Sequence, residues 1–204
     1  SLVAEADENN LDKEVLNERW KRWYACSLCE QDYHGVVRCA LGWACWKTYL
    51  GRPEADQARR LAMTQLGNGL SQTNQNEEAL SVQEAELAME RRLGASERSI
   101  LVVQGNLAST YRRLGRAEQA LLMRRDVYFG TLKLHGEEHK YTLLEANNYA
   151  ADLLDLQRVK EARKLLRKTI PVARRVLGES HDTPLRMRWT YAVALYNSCL
   201  LYTS

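Results

Sequence analysis

The stretch Asn106-Leu107-Ala108-Ser109-Thr110-Tyr111-Arg112-Arg113-Leu114-Gly115-Arg116-Ala117-Glu118-Gln119-Ala120 decides the fold. Leu107, Tyr111 and Leu114 recur at spacings of four and three, which gives one apolar face on a helix. Gly115 then breaks the helix, because glycine takes a positive φ at little cost. The same signals return along the chain. Ala108, Ala150 and Ala192 stand 42 residues apart, as do Leu107, Tyr149 and Tyr191. Gly94, Gly136 and Gly178 keep that step, and so do Leu101, Leu143 and Leu185. Ala120 pairs with Ala162, and Leu66-Gly67 with Ala79 fits an earlier copy after a one-residue slip.

Each copy reads as two helices. In the second, Ala162, Leu165, Leu166, Ile170, Ala173, Val176 and Leu177 form a helical stripe rather than a strand alternation. Gly178 closes it where helices commonly end in a left-handed residue. The recurring alanines suit helix axes about 8–10 Å apart, which leave little room where they cross. One helix pair cannot bury its apolar face alone, so copies must stack. The expected fold is all-α, a right-handed α-solenoid of antiparallel helix pairs. Pro171 falls inside the last stripe, where it removes a backbone donor and predicts either a kink or a helix starting afresh near Ile170.

Asn106 to Tyr111, Gly115 and Ala120 together resemble the tetratricopeptide pattern of Leu, small residue, Tyr, Gly and Ala. That repeat is usually about 34 residues long. The longer step here is similar to the kinesin light chain variety, with Leu93-Gly94, His135-Gly136 and Leu177-Gly178 between copies. His139 and His181 hold the histidine place of its inter-repeat loop, but Lys140 and Asp182 stand where Pro is usual. The resemblance covers residues 59–198. It implies a non-catalytic scaffold that binds a protein or peptide in a concave groove lined by first helices.

The expected layout follows from the 42-residue step. It runs as an acidic polar lead at 1–15, read as disordered or as a frayed helix end, a degenerate first helix pair at 16–58, and repeats at 59–101, 102–144 and 145–187. A truncated start of a further repeat follows at 188–198, and 199–204 reads as an adapter-derived tail. Gly35 is expected near the small-residue place of the first pair, and Trp20, Trp23, Trp43 and Trp46 as apolar cover for one end of the stack. The truncated helix, with Tyr191, Leu195 and Tyr196, is expected to fray or to drive self-association.

Twenty-nine basic and 26 acidic residues leave a net charge of +3, too little to favour nucleic acid or an anionic membrane as the main partner. No apolar run reaches the roughly 18 residues that span a bilayer. Five cysteines without a secretory signal point to reduced thiols and a cytoplasmic location.

Two patterns carry competing chemistry. Cys26, Cys29, His34 and Cys39 have the ligand spacing of a zinc knuckle, which would make this a metal-stapled nucleic-acid or regulatory module. The alternative places Cys26 and Cys29 one turn apart on a repeat helix as small buried hydrophobes. His135-Gly-Glu-Glu-His139 matches a zinc-protease pattern, yet Gly136 interrupts the helix such a pair requires. No phosphate loop, nucleophile elbow or convergent carboxylate pair appears, so no enzyme activity and no cofactor is expected. A further reading is the interaction segment of a larger signalling or motor-adaptor protein. The basic pairs Arg124-Arg125, Arg163-Lys164, Arg167-Lys168 and Arg174-Arg175 are expected on a solvated outer face, or against an acidic partner.

Peptide contact is expected at Asn106 and Asn148, which share one repeat position, with Gln65 in the earlier copy and Thr190 in the last. An amide offers donors and an acceptor to an extended backbone whatever its side chains. In kinesin light chain-like repeats asparagines at this place are associated with peptide binding. Asn68, Ser109, Arg112, Arg113, Asn147 and Arg186 are expected nearby, the arginines favouring acidic ligands.

Overall fold

The computed structural model describes residues 13–200. The acidic lead before Lys13 and the last four residues of the tail, 201–204, lie outside the described residues. Among those described, regular structure is entirely helical apart from one isolated bridge between Ala25 and Asp32. None of these helices is long and apolar enough to cross a membrane. The chain divides into two compact units after Ala95.

The first unit contains α1 (Lys13–Lys21), α2 (Gly35–Tyr49), α3 (Gln57–Gln72) and α4 (Asn76–Arg92). Asp56 starts α3 by accepting the Arg59 N–H at 3.0 Å, which satisfies one of the orphan donors of the first turn. Helix α2 lies antiparallel against α3 at very short range. A Cβ on Gly42 would stand 2.7 Å from the Gln65 carbonyl oxygen, and one on Gly69 would stand 2.9 Å from that of Arg38. Backbone cannot yield as a side chain can, so glycine at both places permits the approach. Helix α4 returns along α3, with Arg60 forked onto Glu90 and Thr64 bonded to Glu86. Trp20, Trp23 and Trp46 pack around Cys45, Tyr49 and Ala62, whereas Trp43 is exposed.

The first copy differs from its expected form. Gly35 opens α2 at φ +55 instead of lying within a helix. Cys26 and Cys29 do not sit on a helix. Backbone bonds from the Cys26 N–H to Gln31 (2.8 Å) and from the Tyr33 N–H to Tyr24 (2.7 Å) fold the segment back on itself. Glu30 takes φ +57, which a helix does not tolerate.

The second unit contains α5 (Glu97–Arg113), α6 (Ala117–His135), α7 (Lys140–Asp155), α8 (Val159–Leu177) and α9 (Asp182–Leu200). Consecutive helices pack in antiparallel pairs. Gly130 of α6 meets Leu101 near the start of α5, while Arg124 meets Ser109 near its end. The alanines at the recurring small position, Ala108, Ala120, Ala150 and Ala162, are all buried. Around the last two, Leu143, Leu153, Leu166 and Met187 complete the core. Leu185 breaks the pattern of Leu101 and Leu143, being exposed. The expected repeat edges at 101/102, 144/145 and 187/188 fall inside α5, α7 and α9. Periodicity fixes the step but not the phase.

Turns within and between pairs follow the glycine signals. Gly115 takes φ +73, and the Arg116 N–H closes back on the Tyr111 carbonyl at 2.9 Å. Gly178 has φ 87 and ψ 152, a positive φ with extended ψ rather than the left-handed helical state expected. The histidines of the inter-repeat loop serve as caps: His139 and His181 accept the N–H of Tyr141 and Thr183 on Nδ1. Helix α8 runs unbroken through Pro171.

Candidate functional site

The candidate groove residues separate into occupied and available groups. In the first unit, Gln65 is buried and accepts a hydrogen bond from the Arg38 guanidinium. Asn68 is half-buried one turn away. In the second unit, Asn147 is buried and accepts from the Thr190 hydroxyl at 2.9 Å, which ties α7 to α9. Ser109 donates to the Gly105 carbonyl and accepts from Arg124 at 2.7 Å. Arg112 pairs with Asp155. Arg113 is exposed, and Arg186 pairs with Asp182 on its own helix, at 2.8 Å.

Asn106 and Asn148 are different. Both are half-buried. Asn148 makes one long bond, 3.4 Å, from Nδ2 to Glu145 Oε2. The Asn106 backbone carbonyl accepts from Thr110, while its side-chain amide remains open. Between α5, α6 and α7 lies a cavity of about 270 Å³, walled by Leu101, Val102, Val127, Leu134 and Tyr141, with Arg98, Thr131, His135 and Glu145 at its polar edge. Asn106 and Asn148 stand just beyond this lining, one helical turn from Val102 and three residues from Glu145 on their own helices.

Sequence reasoning missed the group beneath them. Arg124, expected on a solvated face, is 3% exposed. Its guanidinium passes Gly105, whose Cβ would lie 3.5 Å from Nη1. It donates to Glu145 at 3.0 Å, Asp152 at 3.3 Å and Ser109 at 2.7 Å. A buried cation is costly unless paired and fully hydrogen-bonded, and two carboxylates with a hydroxyl meet that need. Burial raises the Asp152 carboxyl above its ordinary range, against the pull of Arg124 and Arg112. The available signal was Gly105 itself, an isolated glycine inside a helical pattern that marks a close approach. Arg125, by contrast, is exposed as expected. So are Lys164, Arg167 and Lys168, which with Lys160 and Arg163 border a concavity of about 460 Å³.

The zinc-knuckle set is not gathered. Cys26 and Cys29 share the turn before α2, and His34 precedes that helix as its cap residue. Cys39 is buried among Leu66, Leu70 and Ala79. No group of three or more metal-ligating side chains occurs among the described residues. The His135 and His139 rings stack at 4.4 Å with an interplanar angle of 19°, and His139 Nδ1 is already engaged by backbone.

Residues 146–183 match the family model of the tetratricopeptide repeat. Several solved structures share the fold. The nearly identical TPR-like repeats of a Podosopora anserina protein described as a kinesin light chain align over 98% of this chain and 84% of that one, with TM-score 0.64 and 19% identity. A form of the same repeats with a single substitution gives TM-score 0.65 over the same shares and at the same identity. BtubC (BKLC) from P. vanneervenii gives TM-score 0.67 at 16% identity, over 79% of this chain and 65% of that one. At such identities the likeness is one of fold. A search of curated proteins gives no match.

Proposed function

We propose that this chain, built from tetratricopeptide-like repeats of the kinesin light chain kind, is a non-catalytic protein-interaction scaffold whose second unit holds an extended peptide along α5 and α7. The observation that carries the reading is the pair Asn106 and Asn148. They hold one repeat position, lie about one helical turn from residues that line one apolar cavity, and keep amide capacity that the fold does not use. Extended peptide backbone presents donors and acceptors at regular intervals, which side-chain amides can meet in either sense. The cavity takes an apolar side chain of the ligand. Arg98, Arg113 and Arg186 set a preference for acidic flanking residues. Asn147 and Gln65, whose amides already bond within the fold, act by holding neighbouring helices in register rather than by touching ligand.

The test is a peptide selected by display against the whole chain, with its affinity measured by fluorescence anisotropy. Asn106→Ala and Asn148→Ala each remove about 1 kcal/mol, the net scale of one hydrogen bond, or roughly fivefold in Kd. Helical content stays unchanged. Full affinity in the double variant would place the ligand elsewhere.

A further inference from the structure

The segment between α1 and α2 has no place in the peptide reading, yet its backbone folds back on itself in an ordered way. Its two arms pair at Ala25 and Asp32. The Cys26 N–H donates to Gln31 at 2.8 Å, and the Glu30 N–H donates to the Cys26 carbonyl at 2.9 Å. Cys26 opens the turn that this last bond closes, and Cys29 lies inside it, three residues on. Residues three apart in such a turn have Cα atoms within about 7 Å, close to the span that a disulfide bridges. Both thiols are free; Cys29 is exposed and Cys26 partly so.

We propose that Cys26 and Cys29 form a dithiol site that exchanges with small disulfides and closes into an intramolecular disulfide. The surroundings support an asymmetric pair. The backbone N–H groups of Cys29 and Leu28 and the Cys29 thiol all approach the Cys26 sulfur and hold it below the ordinary thiol range. Thiolate is the reactive form, so Cys26 attacks and Cys29 resolves. Cys39 and Cys45 lack this setting. Cys39 is packed in the core, and burial pushes the Cys45 thiol up to about 12.

The chemistry balances with glutathione disulfide as oxidant. The Cys26 thiolate attacks one glutathione sulfur, and the other glutathione leaves with the electron pair as a thiolate. Cys29 gives its proton to solvent and attacks Cys26 Sγ, expelling the second glutathione. Two protein thiols are oxidised, and one disulfide is reduced to two thiols.

The experiment uses the full chain carrying Cys199→Ser, incubated with glutathione disulfide and read by intact mass and peptide mapping. The expected product is a Cys26–Cys29 disulfide without retained glutathione, reversed by dithiothreitol. In a Cys29→Ser background one glutathione stays on Cys26. In a Cys26→Ser background Cys29 reacts at least about tenfold more slowly than Cys26 does in the Cys29→Ser background. Circular dichroism confirms that each variant is folded. Two glutathiones retained on the parent, no reaction, or a bridge to Cys39 or Cys45 would each overturn the proposal.

Discussion

Gln157 takes φ +57 in the turn from α7 to α8, where the preceding copy has Gly115 and the one before has Asn74 at φ +61. All three turns close alike, by an N–H of the next residue onto a carbonyl five back: Gln75 to Leu70, Arg116 to Tyr111, Arg158 to Leu153. The backbone demand is the same, and only the residue differs. Asn and Gly meet it readily, while a left-handed glutamine carries roughly 1–2 kcal/mol of strain. Gln157→Gly relieves that strain but frees the unfolded chain by about 0.4–1 kcal/mol. The expected balance is a gain of roughly 0.5 kcal/mol, visible as a small rise in the urea midpoint at unchanged slope. A lower midpoint would show that the turn is held by its Gln side chain. Gly115 announced its turn in the sequence because glycine has a positional meaning. Gln157 did not, because nothing in glutamine favours positive φ.

At the scale of elements, the helices and their step were legible, but what joins neighbouring copies was only half so. Leu166, Met187 and Ala194 are fully buried between α8, α9 and their neighbours. One step of 42 earlier, the same three places hold Arg124, Glu145 and Asp152. The fold therefore solves one junction twice, once with apolar side chains and once with an ion triad that Gly105 makes room for. A repeat pattern read for apolar residues finds the first solution and treats Arg124 as surface. The comparison yields a prediction about what the triad contributes. Arg124→Leu alone leaves Glu145 without its cation and Asp152 with only the longer Arg112 contact, at 3.6 Å, and costs roughly 3–5 kcal/mol. The triple change Arg124→Leu, Glu145→Met and Asp152→Ala copies the next junction and is neutral or stabilising, by up to about 4 kcal/mol. Chemical denaturation of the two variants decides it. If the triple variant is as unstable as the single one, the triad supplies stability of its own and is not an exchangeable filling. The same network holds Glu145 beside Asn148, so the triple variant also tests peptide contact: lost binding with retained stability would assign the triad to the site.

Across the whole molecule, the all-helical repeat class was readable from periodicity, whereas the segment before α2 was not, because one irregular copy offers no second copy to align. Acidic residues entered only through the net charge, and +3 says nothing about where a carboxylate is buried. Glu86 on α4 is such a group. Its side chain lies against α3, with Oε1 accepting from the Thr64 hydroxyl and Oε2 buried without a partner. Burial pushes its pKa up from 4.5 to about 7, with the Thr64 bond opposing and neighbouring Glu90 adding to the rise, while Arg60 pulls the other way. The sign follows from proton binding. Between about pH 4.5 and 7 the folded chain keeps this proton and the unfolded chain has lost it, so folding takes up a proton there. Stability from this group is complete below the unfolded pKa and falls as pH rises through the folded one. A difference of that size corresponds to about 3 kcal/mol, reached once Glu86 is ionised in both states. Glu86→Gln keeps the shape and the Thr64 contact without the titration. The variant matches the parent near pH 4.5 and exceeds it by about 3 kcal/mol at pH 8, with the gap opening between those limits. Asp152 is shifted in the same direction in the other unit, so the informative quantity is the parent-to-variant difference at each pH, in which Asp152 cancels. A constant difference across the range would mean that Glu86 titrates alike in the folded and unfolded chain, with Arg60, forked on Glu90, offsetting its burial.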